Sequence, residues 1–154
     1  MGLRMLLVEL SFGLSWIWLS NLLLMRNYVI IILEVKEGSV MPNRIKNILE
    51  EYVRGLVDLL GNNLKNVILY GSYARGEQDE NGEISDIDIM ILVDLDEEEI
   101  KNVEKKVLDY SYDLDLKYNI LLSPIVENVE NYNKRISYMA FYKNVAKEGV
   151  CLNG

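Results

Sequence analysis

Past residue 40 the chain alternates long amphipathic stretches with short apolar runs, and that alternation leaves few folds open to it. After Pro42, Ile45, Ile48, Leu49, Tyr52, Val53, Leu56, Leu59 and Leu60 recur at helical spacing with charges between them, which predicts an amphipathic helix. Gly61-Asn62-Asn63 stops it. Leu64–Tyr70 reads as a short apolar strand, broken by Gly71-Ser72, and a helix can start within Tyr73–Glu77. Gln78–Ser85 is a polar, turn-rich loop and Asp86–Val93 a second strand. Asp96 is placed to cap a helix running to about Tyr112–Leu116, with Glu97, Glu98 and Glu99 in the turn where the helix dipole favours negative charge. Ile120–Val126 is a third strand. Glu127–Glu148 is a last helical stretch, broken near Ile136–Tyr138 and ended by Gly149. The order α-β-α-β-α-β-α calls for one small α/β domain over 41–154.

The first 40 residues differ in kind. Arg4, Arg26 and Lys36 balance Glu9, Glu34 and Glu37, so the net charge of −8 lies wholly in 41–154. Leu10–Met25 carries no charge and holds both tryptophans, Trp16 and Trp18. Three readings stand for this segment. It is a signal peptide or short anchor, although its 16 uncharged residues fall short of the roughly 20 that span a bilayer. It is an extra core element. Or it is a leader translated from upstream of the true start at Met41, because Lys36-Glu37-Gly38 is encodable as a purine-rich ribosome-binding sequence at the usual bacterial spacing. The charge break favours the last reading, which argues against membrane attachment.

Composition narrows the chemistry further. There is no histidine, which excludes Ser-His-Asp and Cys-His machinery and His-ligated zinc. Cys151 stands alone, so no internal disulfide forms and a cytoplasmic setting is expected. The acidic surplus argues against extended nucleic-acid binding. What remains is carboxylate, hydroxyl, backbone amide, Lys and Arg chemistry. Asp86 and Asp88, two apart on a strand, face the same side. Like charges so placed repel unless a cation lies between them, and Mg²⁺ accepts carboxylate and phosphate oxygens together. Gly71 lets backbone approach a phosphate, the Ser72 hydroxyl can bond its oxygen, and Arg75, about one helical turn on, can face the same group.

Tyr70-Gly71-Ser72-Tyr73-Ala74-Arg75-Gly76-Glu77, followed by Ser85-Asp86-Ile87-Asp88-Ile89-Met90-Ile91-Leu92-Val93, resembles the minimal nucleotidyltransferases of the DNA polymerase β-like superfamily. The resemblance continues through Ser123-Pro124-Ile125-Val126 and Phe141–Val150, covers most of 41–154, and leaves 1–40 untouched. It implies a small mixed β-sheet flanked by helices, with a metal on Asp86 and Asp88 and the nucleotide phosphates on Gly71, Ser72 and Arg75. It also implies Mg²⁺-ATP as substrate and transfer of an adenylyl group to a protein hydroxyl. Such proteins often pair, as antitoxins, with a HEPN-type toxin. Two departures stand out. The spacer between motifs, Tyr73 to Ser85, is 13 residues where about ten is usual. The third acid that active members carry on a neighbouring strand is replaced by Leu121, with Asp115 the nearest substitute. Two functions follow as expectations: an active transferase, or an antitoxin that neutralises its toxin by binding alone. A membrane-tethered variant using Leu10–Met25 is a third. The ten tyrosines read mainly as half-buried core edges, with an interface as the other reading.

Overall fold

A computed structural model describes residues 41–77 and 86–153. The leader, anchor and extra-core readings of 1–40, and the loop read for 78–85, lie outside the described residues.

Helix α1 (Asn43–Leu60) buries the stripe Ile45, Ile48, Leu49, Tyr52, Val53, Leu56 and Leu60 and ends at Gly61, whose φ is 55°. A 3-10 turn over Gly61–Asn63 leads into β1 (Leu64–Tyr70), which runs directly into the five-residue helix α2 (Gly71–Arg75). Strand β2 (Ile87–Val93) begins one residue later than expected, leaving Asp86 just ahead of it. Helix α3 (Glu97–Tyr118) opens with a capping box: the Asp96 carboxylate accepts the Glu98 and Glu99 amides, and Glu99 accepts the Asp96 amide.

Helix α3 outruns its expected end because Asn119, not a glycine, closes it in the left-handed conformation (φ 50°), its amide bonding Asp115 O. The third strand, β3 (Leu122–Asn128), is displaced two residues accordingly. The last stretch divides at 137–139 into α4 (Val129–Ile136) and α5 (Ala140–Glu148). A fourth strand follows, β4 (Val150–Cys151), absent from the sequence-based order because two residues carry no periodicity.

The sheet runs β3-β2-β1-β4, with β1 antiparallel to β2 and β4 and β2 parallel to β3. It is the small mixed sheet flanked by helices that the resemblance implied. Central β2 is buried on both faces, which is why it reads as an almost unbroken apolar run. Ile87, Ile89, Ile91 and Val93 face α1 and α3 together with Val67, Leu69 and Leu122. Met90 and Leu92 face the opposite way, against Tyr132 of α4 and Tyr142 and Val145 of α5. Asp88 has the parity of this second face.

Glu127, 9% exposed, ties the second layer down. It accepts from Arg135 of α4 and from the Tyr142 hydroxyl of α5 at 2.8 Å, while Arg135 also donates to that hydroxyl at 2.8 Å. Arg135→Ala is therefore expected to lower stability by about 2 kcal/mol, since it leaves a buried carboxylate with one donor fewer. Equilibrium urea unfolding checks this, and a loss under about 0.5 kcal/mol would mean that water replaces the guanidinium without cost.

Candidate active site

The fold joins two motifs that the chain keeps apart. Tyr70 at the end of β1 pairs in register with Asp88 on β2, so the next residue, Gly71, lies against the Asp88 side chain. Gly71 has φ 73°, and a Cβ placed on it would stand 2.1 Å from Asp88 Oδ2. Both facts demand glycine: the left-handed backbone disfavours other residues, and the carboxylate fills the space a side chain would need.

Ser72 follows in the first turn of α2. Gly76 closes this helix in the left-handed region (φ 71°), and Glu77 N returns to Ser72 O at 3.0 Å. Five residues contribute little macrodipole, so this helix start offers a phosphate little positive potential beside the charge of Arg75. The Arg75 guanidinium meets Glu77 at 2.7 Å through Nε and Glu148 at 3.7 Å through Nη1. It also lies close enough to Asp88 for the two charges to interact. A cleft of about 210 Å³ opens here, lined by Gly71, Arg75, Tyr70, Phe141, Asn144, Val145 and Glu148.

Asp86 is exposed and Asp88 half-buried. Burial, and then the charge of Asp86, push the Asp88 carboxyl above the usual aspartate range, while Arg75 pulls the other way. Burial and the Asp88 charge raise the Tyr70 hydroxyl to about 12. Two carboxylates two residues apart, one at the mouth of β2 and one on it, repel each other without a cation and suit Mg²⁺, which commonly takes one or two protein carboxylates and completes its shell with phosphate and water. Among the described residues no group of three Asp, Glu, His or Cys is placed to hold a metal.

The missing third acid has a clear place in the structure. Ser123 of β3 pairs with Asp88, and the carbonyl of Leu121, just ahead of β3, accepts the Ile87 amide at 2.8 Å, so neither position next to this stretch of β2 carries an acid. Asp115 does not join them. It sits on α3, on the side of the sheet that Leu122 faces, and its Oδ1 accepts the Leu122 amide at 2.8 Å. Burial raises its carboxyl and that amide opposes the rise. The same bond blunts an edge. Strand β3 is outermost, Pro124 has no N–H, and the Asn128 amide is taken by Glu127 at 3.1 Å, so little of this edge is open to another strand. Asp115 is thus engaged as an edge cap, a role sequence distance could not reveal.

Tyr70, Phe141, Asn144 and Glu148 escaped the sequence reading as cleft residues. Phe141, Asn144, Val145 and Glu148 share one helical face, which is legible, but nothing local says that this face meets Gly71.

A family profile described as a nucleotidyltransferase domain matches residues 43–144. A candidate protein adenylyltransferase of Methanocaldococcus jannaschii is 38% identical over 101 residues, covering 66% of this chain and 90% of that protein. A second protein of the same name and organism is 35% identical over 102 residues, covering 60% of this chain and 98% of its own length. A crystal structure of a toxin-antitoxin with AMP-PNP aligns with a TM-score of 0.42 at 21% identity, over 68% of this chain and 73% of that one.

Proposed function

The chain belongs to the nucleotidyltransferase domain family, and from that premise we propose that it moves an adenylyl group from Mg²⁺-ATP to a protein hydroxyl, as the antitoxin of a HEPN-type toxin. One observation carries the reading of the site: the Asp88 carboxylate occupies the space beside Gly71 that any side chain there would fill, so the phosphate-binding turn and the carboxylate strand form one site. The names of the relatives support adenylyl transfer to protein, and the −8 charge supports a protein acceptor over a long nucleic acid.

In this reading Asp86 and Asp88 hold the metal, Gly71 admits the phosphates to close range, the Ser72 hydroxyl donates to a phosphate oxygen, and Arg75 counters charge on the leaving group. Bound Mg²⁺ would supply charge neutralisation at the α-phosphate. The acceptor oxygen forms a bond to the α-phosphorus, the bond from that phosphorus to the bridging oxygen breaks, and pyrophosphate leaves. The acceptor proton passes to solvent or to a substrate oxygen, because Leu121, just ahead of β3, and Ser123 on it stand in place of a carboxylate. The functional unit is 41–154. Among the described residues no helix is long and apolar enough to cross a membrane, and a cytoplasmic setting is part of the proposal.

The second reading, neutralisation by binding alone, is favoured by Leu121 at the third-acid position. One experiment separates the two. The full chain is incubated with ATP labelled at the α-phosphate, Mg²⁺, and any HEPN-type protein encoded beside it. Label on the partner that vanishes in Asp86→Ala and on chelation of the metal supports transfer. Neutralisation of the toxin that persists in Asp86→Ala without label establishes the binding reading and overturns the first.

A further inference from the structure

Helix α5 reaches the cleft from the far end of the chain. Phe141, Asn144, Val145 and Glu148 fall at helical spacing and form one wall, facing Gly71 and Arg75. Gly149 sets how closely that wall stands. A Cβ there would lie 2.4 Å from Val145 O and 2.5 Å from Ile68 Cγ2, so α5 can turn into β4 against β1 only where a side chain is missing. Glu148, the residue before it, is thereby carried to Arg75.

The two acids around Arg75 are not equivalent. Glu77 is two residues away and bonds Nε; Glu148 belongs to a separate packed element and approaches Nη1, and neither contact uses Nη2. With side chains 42% and 34% exposed, the Arg75–Glu148 pair adds little to stability. What it can supply is direction, because a carboxylate on a separate helix wall restricts where the guanidinium can swing at the cleft.

We infer that Glu148 is a positioning residue for nucleotide binding: it holds the Arg75 guanidinium over the cleft beside Gly71, so that the polyphosphate tail of the nucleotide meets a cation already oriented toward it. The inference rests on the proposed use of ATP. It also runs against simple electrostatics. A carboxylate that merely lined a phosphate cleft would repel the ligand, and its removal would tighten binding.

Calorimetric titration of Mg²⁺-ATP into the full chain tests it. Glu148→Ala is expected to weaken binding about tenfold, the scale of one charge-assisted hydrogen bond. Glu148→Gln, which keeps an acceptor oxygen, recovers part of that loss. In an Arg75→Ala background, Glu148→Ala changes nothing further, because its effect runs through Arg75. Binding that is unchanged or tighter in Glu148→Ala overturns the inference alone. So does an equal loss with Arg75 already removed, which marks a structural effect of α5. An unsubstituted chain that binds no ATP overturns the inference together with the ATP reading beneath it.

Discussion

Asp88→Asn is expected to slow the proposed adenylyl transfer about a thousandfold, because it removes one of the two carboxylates proposed to hold the metal, a role worth several kcal/mol in the transition state. The substitution preserves shape, and Asp88 is only half-buried, so the fold should survive it. Stability in metal-free buffer should move the other way. The Asp88 carboxyl titrates above the usual aspartate range, from burial first and the charge of Asp86 second. Its ionised form is therefore disfavoured in the folded chain relative to the unfolded one. Stability is lost as pH rises from the ordinary aspartate range through the raised value, and the deficit is complete at neutral pH. A neutral carboxamide in its place carries no such deficit. The variant should melt above the parent at about pH 7 in EDTA, and that advantage should disappear at pH values below the ordinary aspartate range. Residual transfer above about a tenth of the parent rate would remove Asp88 from the proposed machinery. Equal melting temperatures at neutral pH would show that Arg75 fully compensates the burial.

Gly71→Ala should damage stability and activity together. The left-handed backbone at Gly71 costs an alanine about 1–2 kcal/mol. The new methyl group, 2.1 Å from Asp88 Oδ2, must also displace that carboxylate or the turn. A total loss of about 3 kcal/mol is expected, with transfer down roughly a hundredfold or more, since a shift near 1 Å in a positioned group can cost that much. Gly61→Ala is the control. Gly61 also has a left-handed φ, of 55°, but nothing lies within 4 Å of its added Cβ. With ψ at −131° its backbone lies in a region largely confined to glycine, so it should show a backbone cost of about 2–3 kcal/mol with transfer intact. Urea unfolding and the labelled-ATP assay, run side by side on both variants, decide the matter. An equal loss of transfer at the two glycines would refute the steric link between Gly71 and Asp88.

Much of the architecture is legible in the chain because it is locally encoded. The stripe of α1, the apolar run of β2 and the Asp96 capping box are each written within one element. The break between α4 and α5 also falls where their periodicity lapses. The misjudged points are junctions. The end of α3 depends on Asn119 adopting a left-handed φ, and β4 is two residues placed by pairing with Ile68 and Leu69. Asp115 has the right charge at a plausible sequence distance, yet the Leu122 amide claims its Oδ1.

From residue types and spacing alone came the absence of imidazole chemistry, the strand that carries Asp88 with Asp86 just ahead of it, and the glycine, serine and arginine of the proposed phosphate turn. These are short-range properties, fixed by side-chain chemistry and by the two-residue repeat of a strand. Tertiary structure decided which faces meet. Antiparallel pairing of β1 with β2 set Gly71 against Asp88, parallel pairing of β2 with β3 put Ser123 beside it, and the packing of α5 across the β1 end of the sheet brought Glu148 to Arg75. Register and helix docking arise from burying apolar surface shared by distant segments, so no window of sequence contains them.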